Sequence, residues 1–166
     1  MGSLGGLYWD IVCARCGAQK LPTGGALLAV VAAAYFAVSV LDAYVVLDLR
    51  HALVLALADC SLTFAVFALA LGVRGRRHRI AQTLSGVLGV GAIFGLPMAS
   101  LGIAAAIWHR LATPLDLVMV GIEAWAILVV ARIAREALDV PLFNGLAVST
   151  TYFALEFMLV AWIAPH

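Results

Sequence analysis

Arg74-Gly75-Arg76-Arg77-His78-Arg79 carries four of the ten Lys and Arg residues of a 166-residue chain, and long apolar runs lie on both sides of it. Lys and Arg beside membrane spans resist translocation, so the cluster reads as a short loop held on the cytoplasmic face. Arg74, Arg76, Arg77 and Arg79 then set the topology of everything around them. The composition agrees with that reading. The chain is 65% hydrophobic and only 11% charged, against roughly 45–50% and 25% in soluble domains. Its mean hydropathy is +1.10. Such a chain is an integral membrane protein.

Working outward from the loop, a span needs about 20 mostly apolar residues to cross roughly 30 Å of hydrocarbon. Five stretches meet that requirement, at about 25–46, 52–73, 83–108, 115–131 and 142–164. The fourth is the shortest and contains Glu123. The expected architecture is all-α: one polytopic five-transmembrane-helix bundle over 25–166, preceded by a cytoplasmic or interfacial segment over 1–24. That first segment mixes Asp10, Arg15 and Lys20 with two cysteines, which is unlike a cleavable signal peptide. Within it Leu7, Tyr8, Trp9, Ile11 and Val12 suit a short interfacial helix, with Tyr8 and Trp9 at headgroup level. Pro22 then allows the chain to turn into the bilayer. The tract from Asp48 to His51 is short enough to make the first two spans an antiparallel hairpin.

The basic residues divide eight to two. Arg15, Lys20, the four arginines of the loop, Arg132 and Arg135 fall on one side, and Arg50 and Arg110 on the other. With five spans, this predicts a cytoplasmic N-terminus and a periplasmic C-terminus. A net charge of +1, with its basic residues confined to short loops, argues against nucleic-acid binding.

Four acids fall in or at the rim of the spans: Asp42, Asp59, Glu123 and Glu156. Counted from the expected outer ends, the last three lie about 10 to 12 Å deep and share a level. A carboxylate at that depth must be protonated, paired or exposed to a water cavity, which makes these four the candidate intramembrane polar site. Arg50 and Arg110 lie at the same outer face and are able to reach inward, beside His51 and His109. The plainer alternative is that the acids hydrogen-bond across helices or reach the interface.

Cys13-Ala14-Arg15-Cys16 has the spacing of a redox dithiol or half a zinc site. On a cytoplasmic face thiols stay reduced, and His78 is the one further plausible ligand, so Cys13 and Cys16 are weak metal candidates. Cys60 packs as a small apolar residue. Gly91 and Gly95 have GxxxG spacing, suited to close helix approach in lipid, and Gly95-Leu96-Pro97 is a possible hinge. Trp108, Trp125, Trp162, Tyr44 and Tyr152 read as interface anchors or packing residues, and Ser149, Thr150 and Thr151 as bonding back to their own helix. No Ser/His/Asp pattern, phosphate-binding glycine loop or H-E-x-x-H run occurs, so neither an enzyme nor a cofactor is expected.

The stretch Cys16-Gly17-Ala18-Gln19-Lys20-Leu21-Pro22 resembles the pre-membrane CGPQDLP-like motif of small proteobacterial inner-membrane proteins, departing from it at Ala18 and Lys20. Trp125 through Arg132, with Arg135, Ala137, Leu138, Pro141 and Leu142, is also similar to theirs. Those proteins have five spans and are grouped with the Yip-type domain, named for eukaryotic membrane proteins that bind Rab GTPases. The leading reading is a non-enzymatic Yip-like accessory or scaffold protein of a bacterial inner membrane, binding another membrane component through its small-residue helix faces and basic loops or forming a homo-oligomer. The alternative reading is a small proton- or cation-responsive transporter or channel built on the intramembrane acids. A third is a thiol-dependent protein centred on Cys13 and Cys16.

Overall fold

A computed structural model describes residues 4–163. The first three residues of the pre-membrane segment and the expected end of the fifth span at Ala164 fall outside that range. Among the described residues there are six α-helices and no strand: α1 (Leu4–Val12), α2 (Gly25–Tyr44), α3 (Leu49–Val73), α4 (Ile80–Ile107), α5 (Ala112–Leu138) and α6 (Leu142–Ile163). Helices α2 to α6 are each long and apolar enough to cross a membrane. The chain is a multi-pass membrane protein with a helix-bundle fold.

The main helix pairs are α2 with α4, α5 with α6, α4 with α5 and α2 with α3, and α3 packs across the bundle on both α6 and α4. Short connections impose antiparallel neighbours. Between α2 and α3 the chain turns over four residues, and Asp48 caps α3 by accepting from the Arg50 amide at 3.2 Å. Between α5 and α6 it turns at Asp139, which adopts a left-handed conformation (φ 56°) as the C-cap of α5. Asp tolerates that conformation better than most residues with a Cβ.

Small residues set the closest approaches. Gly91 and Gly95 of α4 face Tyr35 and Val38 of α2, so the GxxxG spacing serves the α2–α4 contact. One turn back, Gly86 and Gly89 receive Ala18 and Tyr8 from the pre-membrane segment. On α6, Gly145 lies directly against the Ala131 carbonyl of α5. Four residues on, Ser149 donates to the Ile127 carbonyl of α5 at 2.8 Å. This corrects the expectation for Ser149. With Gly145 bringing the two backbones together, a carbonyl of the neighbouring helix comes within reach of the hydroxyl.

One further expectation changes. The fourth span is one of the longer helices, 27 residues rather than the shortest. Pro114 lies in its first turn, where no intrahelical N–H is needed. Arg132 and Arg135 ride on an exposed face while Ile133, Ala134, Ala137 and Leu138 are buried. The polar stripe ended the apolar run in sequence without ending the helix. Helix α1 packs on the bundle: Tyr8, Ile11 and Val12 are buried, with Trp9 left exposed. The Tyr8 hydroxyl donates to the Ser85 carbonyl at 3.0 Å, and Trp125 Nε1 donates to the Val12 carbonyl at 3.0 Å. Burial pushes the Tyr8 hydroxyl up to about 12. Finally, α4 runs unbroken through Pro97, so Gly95-Leu96-Pro97 makes no break in the helix.

The Arg74–Arg79 loop is fastened to the α5–α6 turn. Arg76 donates to Asp139 at 2.8 Å and Arg79 to the Glu136 carbonyl at 3.0 Å. The turn at Ala18–Lys20 joins them, Gln19 donating to the Glu136 carbonyl and Gln82 to the carbonyls of Gln19 and Leu21. The eight basic residues assigned to one side therefore gather at one end of the bundle. In that half the interior is filled by Phe67, Leu71, Leu84, Leu88, Val129 and Ile133, each at most 2% exposed. The opposite half is hollow.

Candidate functional site

The hollow half contains two adjoining cavities, of about 290 Å³ and 200 Å³. Asp42, Glu123 and Glu156 line the larger, and Asp42, Asp59 and Glu156 the smaller. Ser39, Asp42, Glu156 and Val160 belong to both walls. All four acids singled out from sequence thus meet around one hollow region. They arrive from α2, α3, α5 and α6, while α4 supplies the apolar wall with Val87, Val90, Phe94 and Met98.

Distances from the helix ends differ among three of the acids. Asp59 lies ten residues into α3 and Glu123 eleven residues into α5, about 15 Å from those helix starts at 1.5 Å per residue. Glu156 lies seven residues before Ile163, or about 10 Å. Helices α3 and α5 begin three residues earlier than the hydropathy runs did, which sets their acids further from the helix ends. The acids also differ in exposure. Asp59 is buried, Glu156 is half-buried, and Asp42 and Glu123 are exposed. The pair on α2 and α5 marks the mouth, and the pair on α3 and α6 the interior.

Asp59 is held by a hydroxyl network. Ser39 donates to Asp59 Oδ2 at 3.2 Å, and Tyr152 donates to Asp59 Oδ1 at 3.5 Å. The Tyr152 hydroxyl also meets Thr63 Oγ1 at 3.0 Å and the Tyr35 hydroxyl at 3.4 Å. Tyr152 is therefore the hub of a network spanning α2, α3 and α6, in addition to packing on Phe67 and Phe153. Sequence reading passed over Tyr35, Ser39, Thr63 and Tyr152 as site residues. A signal was present: Tyr35, Ser39 and Asp42 fall at i, i+4 and i+7, Asp59 and Thr63 at i and i+4, and Tyr152 and Glu156 at i and i+4. Such spacing aligns polar groups on one helix face.

Glu156 has less support, from Tyr152 of its own helix. Its Oε2 is buried without a hydrogen-bond partner, a condition otherwise found only for Ser85 Oγ among the described residues. No Lys, Arg or His lines either cavity. Arg50 and Arg110 are exposed and do not reach inward, and His51 pairs with Asp48 at the α2–α3 turn. The arrangement is a carboxylate-rich chamber with no built-in counter-charge.

Cys13 and Cys16 are both half-buried free thiols, and the Cys16 thiol points to the Leu7 carbonyl at 3.9 Å. Burial is the largest influence on Cys16 and pushes its thiol up, outweighing the pull of Lys20. No group of three or more His, Cys, Asp or Glu able to hold a metal ion occurs among the described residues, so His78 does not complete a site with the two cysteines. Trp108 and Trp162 are exposed, as anchors at a membrane interface would be. Trp125 instead ties α5 to the pre-membrane segment.

Compared with known proteins, the chain matches no family model, no curated protein and no solved structure.

Proposed function

We propose that this chain is a small cation-responsive transporter or channel of a bacterial inner membrane, with its N-terminus in the cytoplasm and its acid-lined chamber in the periplasmic half. The observation that carries the proposal is the convergence of Asp42, Asp59, Glu123 and Glu156 on one hollow with no base to neutralise them. An unpaired carboxylate at membrane depth is expensive, by at least a few kcal/mol. Either a proton or a bound cation removes that cost, so the two compete. The groups facing Glu156 are Tyr35 and Asp42 from α2, Asp59 from α3, Glu123 from α5 and Tyr152 from its own helix, with none from α4. The orientation follows from gathering eight basic residues at the opposite end.

The test is flux in proteoliposomes reconstituted with the purified protein under an imposed pH gradient, scored by release of protons from the lumen when a cation is added outside. Glu156→Gln and Asp59→Asn abolish the signal if the chamber carries it. Wild-type protein that dissipates no gradient with any cation, inorganic or organic, overturns the proposal.

A second reading is favoured by one feature at the other end. Arg74, Arg77, Arg132 and Arg135 are exposed there and form no ion pair among the described residues. Together they offer a basic face to an acidic partner, which fits a Yip-like accessory protein or scaffold. Purification from native membranes in mild detergent, with the composition read by mass spectrometry, separates the readings. A stoichiometric second membrane protein, lost on Arg74→Ala/Arg77→Ala, supports the scaffold.

A further inference from the structure

We infer that the ligand of the larger cavity is a small organic cation that carries an aromatic or alkyl body, rather than an inorganic ion. The inference rests on the cation-binding reading above and adds the ligand class. Three observations converge on it.

The first is donor geometry. Calcium and magnesium are held by about six or more oxygens at 2.0–2.6 Å. The four acids share walls, yet no three of them come together as a group able to hold a metal ion. Their charge is spread around a hollow instead of focused on a point, which suits a cation whose charge is itself diffuse.

The second is the lining. Tyr35, Phe94, Tyr152, Phe153 and Phe157 contribute to the wall beside the carboxylates. Aromatic faces attract ammonium groups that bear carbon substituents, and that attraction grows when water is excluded. A hydrated inorganic ion gains little from such a wall. Tyr152 and Phe153 stand edge to face with ring centroids 5.1 Å apart, so this part of the wall presents both a ring face and a ring edge.

The third is size and the unpartnered oxygen. A volume of about 290 Å³ holds roughly ten water-sized groups, the bulk of a single aromatic ring joined to a quaternary nitrogen. Glu156 Oε2 is buried in this wall with no partner, and an incoming ammonium supplies the missing counter-charge. Asp42 and Glu123, exposed at the mouth, attract the cation before it enters.

The probe is benzyltrimethylammonium, titrated into the purified full-length protein in detergent at pH 7.5 with heat of binding as the readout. Neopentylbenzene is its uncharged counterpart, and sodium and magnesium chloride are the inorganic comparators. The expected result is saturable binding of benzyltrimethylammonium alone. Glu156→Gln should weaken it by about tenfold or more, because the cation loses the buried member of its carboxylate counter-charges. Asp116→Asn, an exposed acid of α5 outside both cavities, should leave it unchanged. Thermal unfolding of each variant, run alongside, establishes that it is folded, and Glu123→Gln serves in place of Glu156→Gln if that variant is not. Sodium or magnesium binding without benzyltrimethylammonium overturns the inference and leaves the cation-binding reading intact. Equal binding of neopentylbenzene overturns the role of charge. No binding of any cation overturns both.

Discussion

Replacing Gly145 with Ala should destabilise the bundle more than any other single added methyl at a helix glycine. A Cβ built on Gly145 lies 2.4 Å from the Ala131 carbonyl oxygen, 3.0 Å from Arg135 Cβ and 3.1 Å from the Arg135 amide nitrogen. Ordinary contact needs at least 3.4 Å, so α6 must retreat from α5 by about 1 Å. Neither obstacle is the free end of a side chain. At Gly89 the added methyl meets the Tyr8 ring, and at Gly17 the Glu136 carboxylate, side-chain atoms rather than backbone. A retreat of α6 lengthens the 2.8 Å Ser149 bond to Ile127 and carries Tyr152 away from Thr63. Overpacking of this kind costs roughly 1–3 kcal/mol. At 2–4 °C per kcal/mol for a chain of this length, the melting temperature should fall by about 2–12 °C. The control is Gly121→Ala on α5, where nothing lies within 4 Å, and where better helix propensity adds up to ~1 kcal/mol. Thermal unfolding in a single detergent, followed by near-ultraviolet circular dichroism, reads both. Equal midpoints for the two variants would refute the close α5–α6 approach.

Further consequences follow from other parts of the structure. Tyr152→Phe removes the hub hydroxyl while keeping the ring against Phe67, and should cost about 0.6–1.7 kcal/mol, the range found for hydrogen bonds between membrane helices; a variant that melts with the wild type would show the hydroxyl network to be energetically idle. Asp139→Gly should leave stability near wild type, since relief of the left-handed backbone (φ 56°) offsets the exposed pair with Arg76, whereas Asp139→Val should lose roughly 1–2 kcal/mol; the reverse order of melting temperatures would remove the left-handed cap. Because burial raises the Cys16 thiol, its maleimide labelling at neutral pH should be slower than that of a free thiol and should accelerate as pH rises, and pH-independent labelling would contradict its burial. Tyr8 is held neutral up to about 12 in the folded chain against about 10 unfolded. The folded state therefore keeps the proton longer. Stability should be level below pH 10 and fall as pH rises from 10 to 12, and Tyr8→Phe should flatten that decline; an identical decline in the variant would place the alkaline sensitivity elsewhere.

How far the sequence foretold this arrangement differs between the two ends of the bundle, and the reason is physical. Charge placement is a one-dimensional property, so the gathering of Arg15, Lys20, Arg74 to Arg79, Arg132 and Arg135 was legible before any helix was packed. So were the acids, because a carboxylate inside an apolar run is conspicuous without knowledge of its neighbours. The length of α5 was obscured because hydropathy averages over all faces of a helix, and there one face carries arginines while the other is buried. The docking of α1 was not legible at all. Its anchors, Tyr8 on Ser85 and Val12 on Trp125, join residues 77 and 113 positions apart, and nothing local in either partner announces the other. The same holds for the pairing of Tyr152 with Asp59 and Thr63.

That docking bears on why the chamber is where it is. The five helices enclose more space in one half than their own side chains fill, and a void without contacts on one side forfeits dispersion energy along its lining. In the basic half the deficit is met by large apolar side chains on the inside and by α1 and the Ala18–Lys20 turn packed on the Gly86 and Gly89 face outside. In the other half no such helix is docked among the described residues, and the lining carries polar groups. A hollow lined by carboxylates and hydroxyls is stabilised by water or a cation, whereas an apolar hollow of the same size would stay dry and costly. The acids and the missing packing therefore belong to one feature. Filling the chamber with apolar bulk, as in Ser39→Leu combined with Glu156→Met, should raise the melting temperature while abolishing cation binding. A functional chamber makes that exchange of stability for binding unavoidable, and purely structural acids predict the opposite sign for the melting temperature.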